Sequence, residues 1–367
     1  MSGTQHGPPA VTPEDLVLIS LFRAWQRKNQ DTAKYYGAAI AGLIGVFSII
    51  HWSQKVVRRW SKSSSALQLA YRRSSLISQR LGRAKSLGPF TVWPKQTLLV
   101  LVFIGINVAL TFHDRPDQEP LLTIIAKRFG WMSLCNMCLT VFLALKNTPL
   151  SPLAGYSYDN LNVLHRCSGY TVIVFMILYH AGIVAGVAMI CMLLTSIGPV
   201  RRRMYEAFYA SHQLLAATTL VAVALHRPEI TLKALIIMIV AAALWFADKF
   251  LRTARWLYRC TGNRCTLVPL PDGATKVIMY RGVKAQPGSH AFIWMPGVKL
   301  LQRHPFTLVS TNPATFVAKA RDGFSGSLHE QAFRYPGFKF KASIEGPYGH
   351  VPDLDKYDKS VLVAGGS

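Results

Sequence analysis

Two stretches decide the fold: LHRCSGYTVIVFMILYH over residues 164–180 and RRRMYEAFYASHQLLAATTLVAVALH over residues 201–226. Each contains an apolar run long enough to cross a bilayer, which takes roughly 17–25 residues. Each run is flanked by two histidines, His165 and His180 in the first, His212 and His226 in the second. An ionisable side chain in such a run is costly and marks function by default. An isolated one also serves as a hydrogen-bonded packing residue, but two matched pairs ask for a shared partner. His212 and His226 are 14 residues apart, which on a helix means about 40° in angle and about 21 Å along the axis. His165 and His180, 15 apart, are separated by about 60° and about 22 Å. Each run therefore sets one imidazole near each leaflet.

If the two helices run parallel, His165 meets His212 on the inner side and His180 meets His226 on the outer side. Each couple suits the two axial positions of a haem iron. Ligation by two imidazoles saturates the iron and favours electron transfer over oxygen binding. His165, His180, His212 and His226 are therefore candidate metal ligands. His51 and His113 lie at the ends of other runs and read as interfacial.

Outward from these stretches, apolar runs at about 36–53, 96–112, 128–145, 164–182, 183–200, 204–226 and 230–250 predict a membrane all-α bundle of about six to seven spans. The chain of 367 residues is 51% apolar and 16% charged, with a mean hydropathy of +0.25. Its net charge of +24 sits at span edges. Residues 54–95 hold ten Lys/Arg and no acid, starting with Lys55, Arg58, Arg59 and Lys62. Arg201–Arg203 precede one run, and Arg252, Arg255 and Arg259 follow the last. That placement is the positive-inside signal. It points to a lipid bilayer, with anionic headgroups on the inner leaflet, and to no nucleic acid. Arg166 and Arg201–Arg203 suit either porphyrin carboxylates or membrane anchoring. Asp114, Asp117 and Glu119 suit an outside loop.

Arg166 and Arg201 both read as cytosolic, so an even number of crossings separates them. Only 36 residues, His165 to Val200, are available, whereas two helices of about 20 residues need about 40. The expectation is a cramped hairpin breaking near Ala181–Gly182. Residues 1–35 form a polar tail without a signal peptide, and the span at 36–53 acts as its own insertion signal. Cys135 and Cys138 have CxxC spacing, but Leu139 follows rather than His, which argues against covalent haem attachment. No disulfides are expected among the six cysteines.

The last third reads differently. Short β-type runs at Thr266–Pro269, Lys276–Tyr280, His290–Trp294, Phe306–Ser310 and Thr315–Lys319 alternate with turns at Pro271-Asp272-Gly273 and Pro287-Gly288. This pattern predicts a small antiparallel β-barrel. Within it, His304-Pro305-Phe306-Thr307 puts a fixed backbone entry, a stacking aromatic and a hydroxyl at a strand start, the groups a flavin needs. Gly346-Pro347-Tyr348-Gly349 supplies a turn where backbone can approach a phosphate, with Gly346 and Gly349 as the candidates. The closing Val361-Leu362-Val363-Ala364-Gly365-Gly366-Ser367 reads as the first strand and glycine pair of an α/β nucleotide-binding unit. The sequence stops inside that motif.

Taken in order, LHRCSGY from Leu164, the four histidines, RRRMYEAFYASH from Arg201, HPFTLVS from His304, EGPYG from Glu345 and the terminal VLVAGG resemble the ferric reductase and NADPH oxidase superfamily, most closely the fungal ferric-chelate reductases. The resemblance covers about residues 90–367. It implies two b-type haems on His165, His180, His212 and His226, and FAD on His304, Pro305, Phe306 and Thr307. It further implies NADPH as donor and an extracellular ferric chelate as acceptor, in a plasma membrane with the FAD domain in the cytosol. In that family a longer loop and a complete helix separate the two haem helices. The implied domains are a tail at 1–35, a first span at 36–53, a basic cytosolic loop at 54–95 and a transmembrane haem domain at 96–250. An FAD-binding barrel at 251–358 and the start of a truncated NADPH domain at 359–367 follow. Two alternatives stand beside this reading: a superoxide-producing NADPH oxidase, which shares the wiring, and a non-catalytic haem membrane protein or inactive truncated product, which the abrupt end and the cramped hairpin suggest.

Overall fold

The computed structural model describes residues 12–60, 65–87, 90–114, 121–156, 158–179, 182–225, 231–300 and 302–349. The chain forms two compact units. One comprises residues 1–62, 76–143 and 162–243, the other residues 63–75, 144–161 and 244–367.

The first unit is helical. Helix α1 (Pro13–Trp60) starts at a reciprocal cap, in which Thr12 N–H donates to Asp15 Oδ2 and Asp15 N–H to Thr12 Oγ1, with proline at the first helical position. Helix α2 (Ser65–Gly82) and a short hairpin, β1 (Lys85–Leu87) with β2 (Phe90–Val92), fill the basic stretch. Then follow α3 (Pro94–Phe112) and α4 (Leu121–Leu143). Met132, Ser133 and Asn136 of α4 are fully buried. Tyr36 of α1 donates to Asn136 Oδ1 at 2.8 Å, and Asn136 Nδ2 donates to Asn107 Oδ1 of α3 at 2.6 Å. Polar groups inside a lipid-embedded bundle need such internal partners.

Past a short α5 (Leu150–Ala154), the helices are α6 (Tyr158–Tyr179), α7 (Ile183–Ser196), α8 (Gly198–Arg203), α9 (Tyr205–Ala224) and α10 (Leu232–Cys260). Among the described residues, α1, α3, α6, α9 and α10 are long and apolar enough to cross a membrane, and α7 is a shorter apolar helix. Among the described residues, six of the seven apolar runs each fall on one helix and the run at 183–200 divides between α7 and α8, so the two runs in the cramped region are unequal. Helix α6 keeps 22 residues while α7 has 14, about 21 Å against a hydrocarbon core of about 30 Å. The shortage of chain thus falls on α7. Met137, Val172, Met176, Met189, Leu220, Val223, Met238 and Ala241 form one core within the bundle.

The second unit is built on a seven-stranded antiparallel sheet: β3 (Arg264–Leu270), β4 (Ala274–Met279), β5 (His290–Trp294), β6 (Arg303–Thr311), β7 (Ala314–Lys319), β8 (Lys339–Lys341) and β9 (Ser343–Tyr348), in spatial order β8-β3-β4-β7-β6-β5-β9. The two edge strands are consecutive in the chain and joined by the buried Ala342, so the sheet curls round until its edges meet. Inside lie Leu267, Val277, Met279, Ile293, Leu308, Phe316 and Ile344, closed by Phe324 and Leu328 of α11 (Phe324–Arg334). The strict alternation of burial along β4 and β5 is the period-two pattern that made these strands readable.

Candidate functional site

Within the helical unit, α6 and α9 bring His165 and His212 together, with ring centres 6.4 Å apart. His165 Nδ1 lies 3.0 Å from the carbonyl oxygen of Thr140 on α4. That bond fixes the tautomer and leaves Nε2 as the nitrogen free to ligate, the usual arrangement behind a metal-bound histidine. Thr140 is itself held by its hydroxyl, which donates to Asn136 O at 2.7 Å and lies 2.9 Å from Ser168 Oγ. His212 Nδ1 is buried without a hydrogen-bond partner among the described residues. With metal–nitrogen bonds of about 2 Å and ring centres about 1 Å behind the nitrogens, two imidazoles on one metal ion stand about 6 Å apart. The observed spacing and the orphaned nitrogen both fit an iron held between the rings.

His180 and His226, like Gly365 and Gly366, lie outside the described residues. The same unit holds a cavity of about 1380 Å³, lined among others by Trp25, Lys127, Trp131, Tyr179, Val221 and Leu225. Tyr179 and Leu225 are the sequence neighbours of His180 and His226. Next to Lys127, Arg128 is 1% exposed, and its Nε and Nη1 have no partner among the described residues. A buried guanidinium of that kind calls for an anion. Sequence reading passed over Arg128 because it sits beside the loop edge at Lys127. Arg166, Arg202 and Arg203 are exposed.

In the sheet unit, His304, Pro305, Phe306 and Thr307 lie in β6 and divide between its two faces. His304 and Phe306 are half-buried on the core side, and Pro305 and Thr307 are exposed on the other, because successive residues of a strand point oppositely. His304 stacks on Phe324 with ring centres 4.5 Å apart and planes at 22°, and Phe306 lies 6.2 Å from the same ring. Phe324 opens α11, and this is the element that sequence reading missed. The segment Gly323-Phe324-Ser325-Gly326-Ser327 starts an 11-residue helix with Gly323 at φ 82°. Ser325 Oγ accepts the backbone N–H of Arg321 at 3.0 Å. A helix N-terminus offers unpaired N–H groups and a positive dipole end, the setting for a phosphate. The signal was a glycine–serine run directly after a β-type run.

Gly346 and Gly349 both have positive φ, 138° and 89°. A Cβ at Gly346 would lie 3.2 Å from that of Ala291, and one at Gly349 would lie 3.0 Å from His290 Nδ1. Their close approach is to β5. Between them and β6 runs an aromatic face, His290, Phe292 and Trp294, with Tyr348 alongside. Glu345, 2% exposed, accepts from Arg252 Nε at 2.7 Å, Arg303 Nη1 at 2.6 Å and the Tyr348 hydroxyl at 2.9 Å. Burial alone would raise its carboxyl; the hydrogen bond and charge of Arg252, the Tyr348 hydroxyl and the Lys146 charge outweigh burial and hold it at about 2. Lys146 lies over the Phe292 ring at 3.7 Å. Burial first, then the Arg252 charge, push its ammonium down to about 8.

Residues 129–181 and 178–223 match the family described as "Ferric reductase like transmembrane component", and residues 265–352 match an FAD-binding domain. Among curated relatives, "Probable cell surface ferric reductase kap2" of Aspergillus oryzae is 27% identical over 78% of this chain and 45% of its own length. "Ferric reductase transmembrane component 3" of Saccharomyces cerevisiae is 24% identical over 70% of the chain and 40% of its own. "Ferric/cupric reductase transmembrane component 2" of Schizosaccharomyces pombe is 25% identical over 71% and 52%. The chain therefore spans about half the length of the curated relatives it matches. With apolar helices bearing the first match and an antiparallel sheet bearing the second, the chain carries a ferric-reductase-like transmembrane domain and an FAD-binding domain.

Proposed function

We propose that this chain is the electron-carrying part of a ferric-chelate reductase, taking electrons from cytosolic NADPH by way of FAD and two b-type haems to an extracellular ferric chelate, in the plasma membrane with the FAD domain cytosolic. The observation that carries the reading is the pair of facing imidazoles, His165 and His212, in a membrane bundle that leads into an FAD-binding domain. His165 and His212 would hold the inner haem and, by sequence alone, His180 and His226 the outer. Bound there, haem supplies one-electron chemistry, which is what a flavin needs to discharge a hydride pair singly. Thr140 orients the His165 ring through its carbonyl. Arg128 would balance an acidic group in the bundle. In the barrel, Thr307 and Pro305 present a hydroxyl and a rigid edge to a flavin ring, and the start of α11 would take its pyrophosphate. Gly346 and Gly349 let the chain pass close to β5 beside that face. Gly365 and Gly366 would begin the nicotinamide domain.

The relatives named as ferric or ferric/cupric reductases support metal reduction. The decisive experiment is a dithionite-reduced minus oxidised spectrum of the purified chain with haem quantitation. Low-spin b-type bands and two haems per chain are expected. A wild-type preparation free of porphyrin, or a His212→Ala variant with full porphyrin content, refutes the reading. An oxygen signal abolished by superoxide dismutase would instead favour the oxidase branch of the superfamily.

A further inference from the structure

Glu345 has no part in the reading above, yet its carboxylate is the most heavily engaged acid among the described residues. It joins α10 through Arg252, β6 through Arg303 and β9 through Tyr348. Around it these elements interlock with β5 as well. Trp256 of α10 meets Trp294 of β5 at 5.1 Å, and Arg303 lies over the Trp256 ring at 5.0 Å. Arg259 donates to the carbonyl of Gly346. One helical turn before Arg252, Asp248 accepts both the backbone N–H and the side-chain amide of Asn147, each at 3.0 Å. Lys146, beside it in the chain, caps the Phe292 ring. Residues 144–161, the end of α10 and the barrel are accordingly one compact unit.

Exposed ion pairs hold little, because each partner keeps its water and its freedom. A carboxylate sealed between two guanidiniums is different: short charge-assisted bonds replace its hydration, and removing either sign leaves the other buried and uncompensated. The segments of this unit also lead somewhere. Residues 144–161 run directly into α6, where His165 follows Leu161 by four positions, and α10 continues from the bundle without a break.

We propose that Glu345 is a positioning residue for electron transfer: its ion pairs with Arg252 and Arg303 clamp the flavin-binding barrel to the end of α10, whose Asp248 in turn holds the connector that enters α6, so that barrel and connector move as one body. This rests on the flavin and haem reading given above. A neutral residue at 345 loosens the connector without touching the ligands of either cofactor.

The test uses the full chain in lipid nanodiscs, with FAD photoreduced by EDTA as the sacrificial donor and haem reduction followed optically, in wild type, Glu345→Gln, Glu345→Asp and, as a control on an exposed pair, Glu330→Gln. Glu345→Gln is expected to keep its FAD and haem content and to pass electrons from flavin to haem several times more slowly than wild type. Glu345→Asp is expected to recover part of the rate, and Glu330→Gln to match wild type. Hydrogen exchange should quicken in residues 144–156 and 248–260 of Glu345→Gln, with β3, β4 and β7 unchanged. Unchanged transfer and exchange overturn the proposal. So does loss of FAD from Glu345→Gln, which would make Glu345 part of the flavin-binding fold. If wild type binds no haem, the imidazole reading falls by itself, and the exchange measurement alone decides the clamp.

Discussion

Acid should weaken the barrel unit in a window set by Glu345. Its carboxyl sits at about 2, against an ordinary value of 4.5. A depressed carboxyl binds its proton more weakly in the folded chain than in the unfolded one. Its contribution is therefore complete above pH 4.5 and is lost as pH falls from there towards 2. At 1.36 kcal/mol per pH unit, the difference is about 3 kcal/mol. Because the side chain is 2% exposed, solvent screening removes little of it. Set against typical net stabilities of about 5–15 kcal/mol, this one group accounts for a sizeable share. For a unit of this size it corresponds to roughly 6–12 °C in melting temperature. The assay is thermal unfolding of the purified chain, followed by the fluorescence of Trp256 and Trp294, at intervals from pH 6 to pH 3. Wild type should lose stability steeply below pH 4.5, whereas Glu345→Gln should start lower and lose far less. Parallel pH profiles in the two proteins would refute the argument that Arg252, the Tyr348 hydroxyl and Lys146 hold this carboxylate ionised.

Other outcomes follow from single contacts. His165→Ala and His212→Ala should each remove about half of the haem absorbance, measured by reduced-minus-oxidised spectra, because either change empties one axial position. Gly326→Ala should lower FAD retention on gel filtration by about tenfold: a Cβ there would lie 2.5 Å from the carbonyl oxygen of Arg321, so the start of α11 has to move. Retention equal to wild type would remove α11 from the flavin site. Phe316→Ala, at a fully buried position of the barrel core, should cost about 3–5 kcal/mol in urea unfolding.

Much of the architecture was open to sequence reading because its periods are simple. Seven apolar runs fall on helices, and His290–Trp294 was delimited residue for residue, since alternating burial leaves a period-two trace. The pairing of His165 with His212 was anticipated from spacing and orientation alone. A shortage of chain was foreseen between the two histidine-bearing helices, but that it falls on α7 depended on packing: α6 is anchored to Thr140 of α4 through His165 and Ser168. The division of His304-Pro305-Phe306-Thr307 between two faces is implicit in any strand. Which face meets the core was decided by Phe324, 20 residues further on.

The distribution of apolar and basic residues along the chain was enough to determine that it enters a membrane, that a sheet domain follows and that its histidines come in pairs, because hydrophobic burial and helical or strand periodicity act over neighbouring residues. The carbonyl behind His165, the burial of Arg128 and the ion pairs of Glu345 were decided only by tertiary structure. Each joins residues 25 to 93 positions apart, or depends on everything packed around one charge, and such groupings have no period to read.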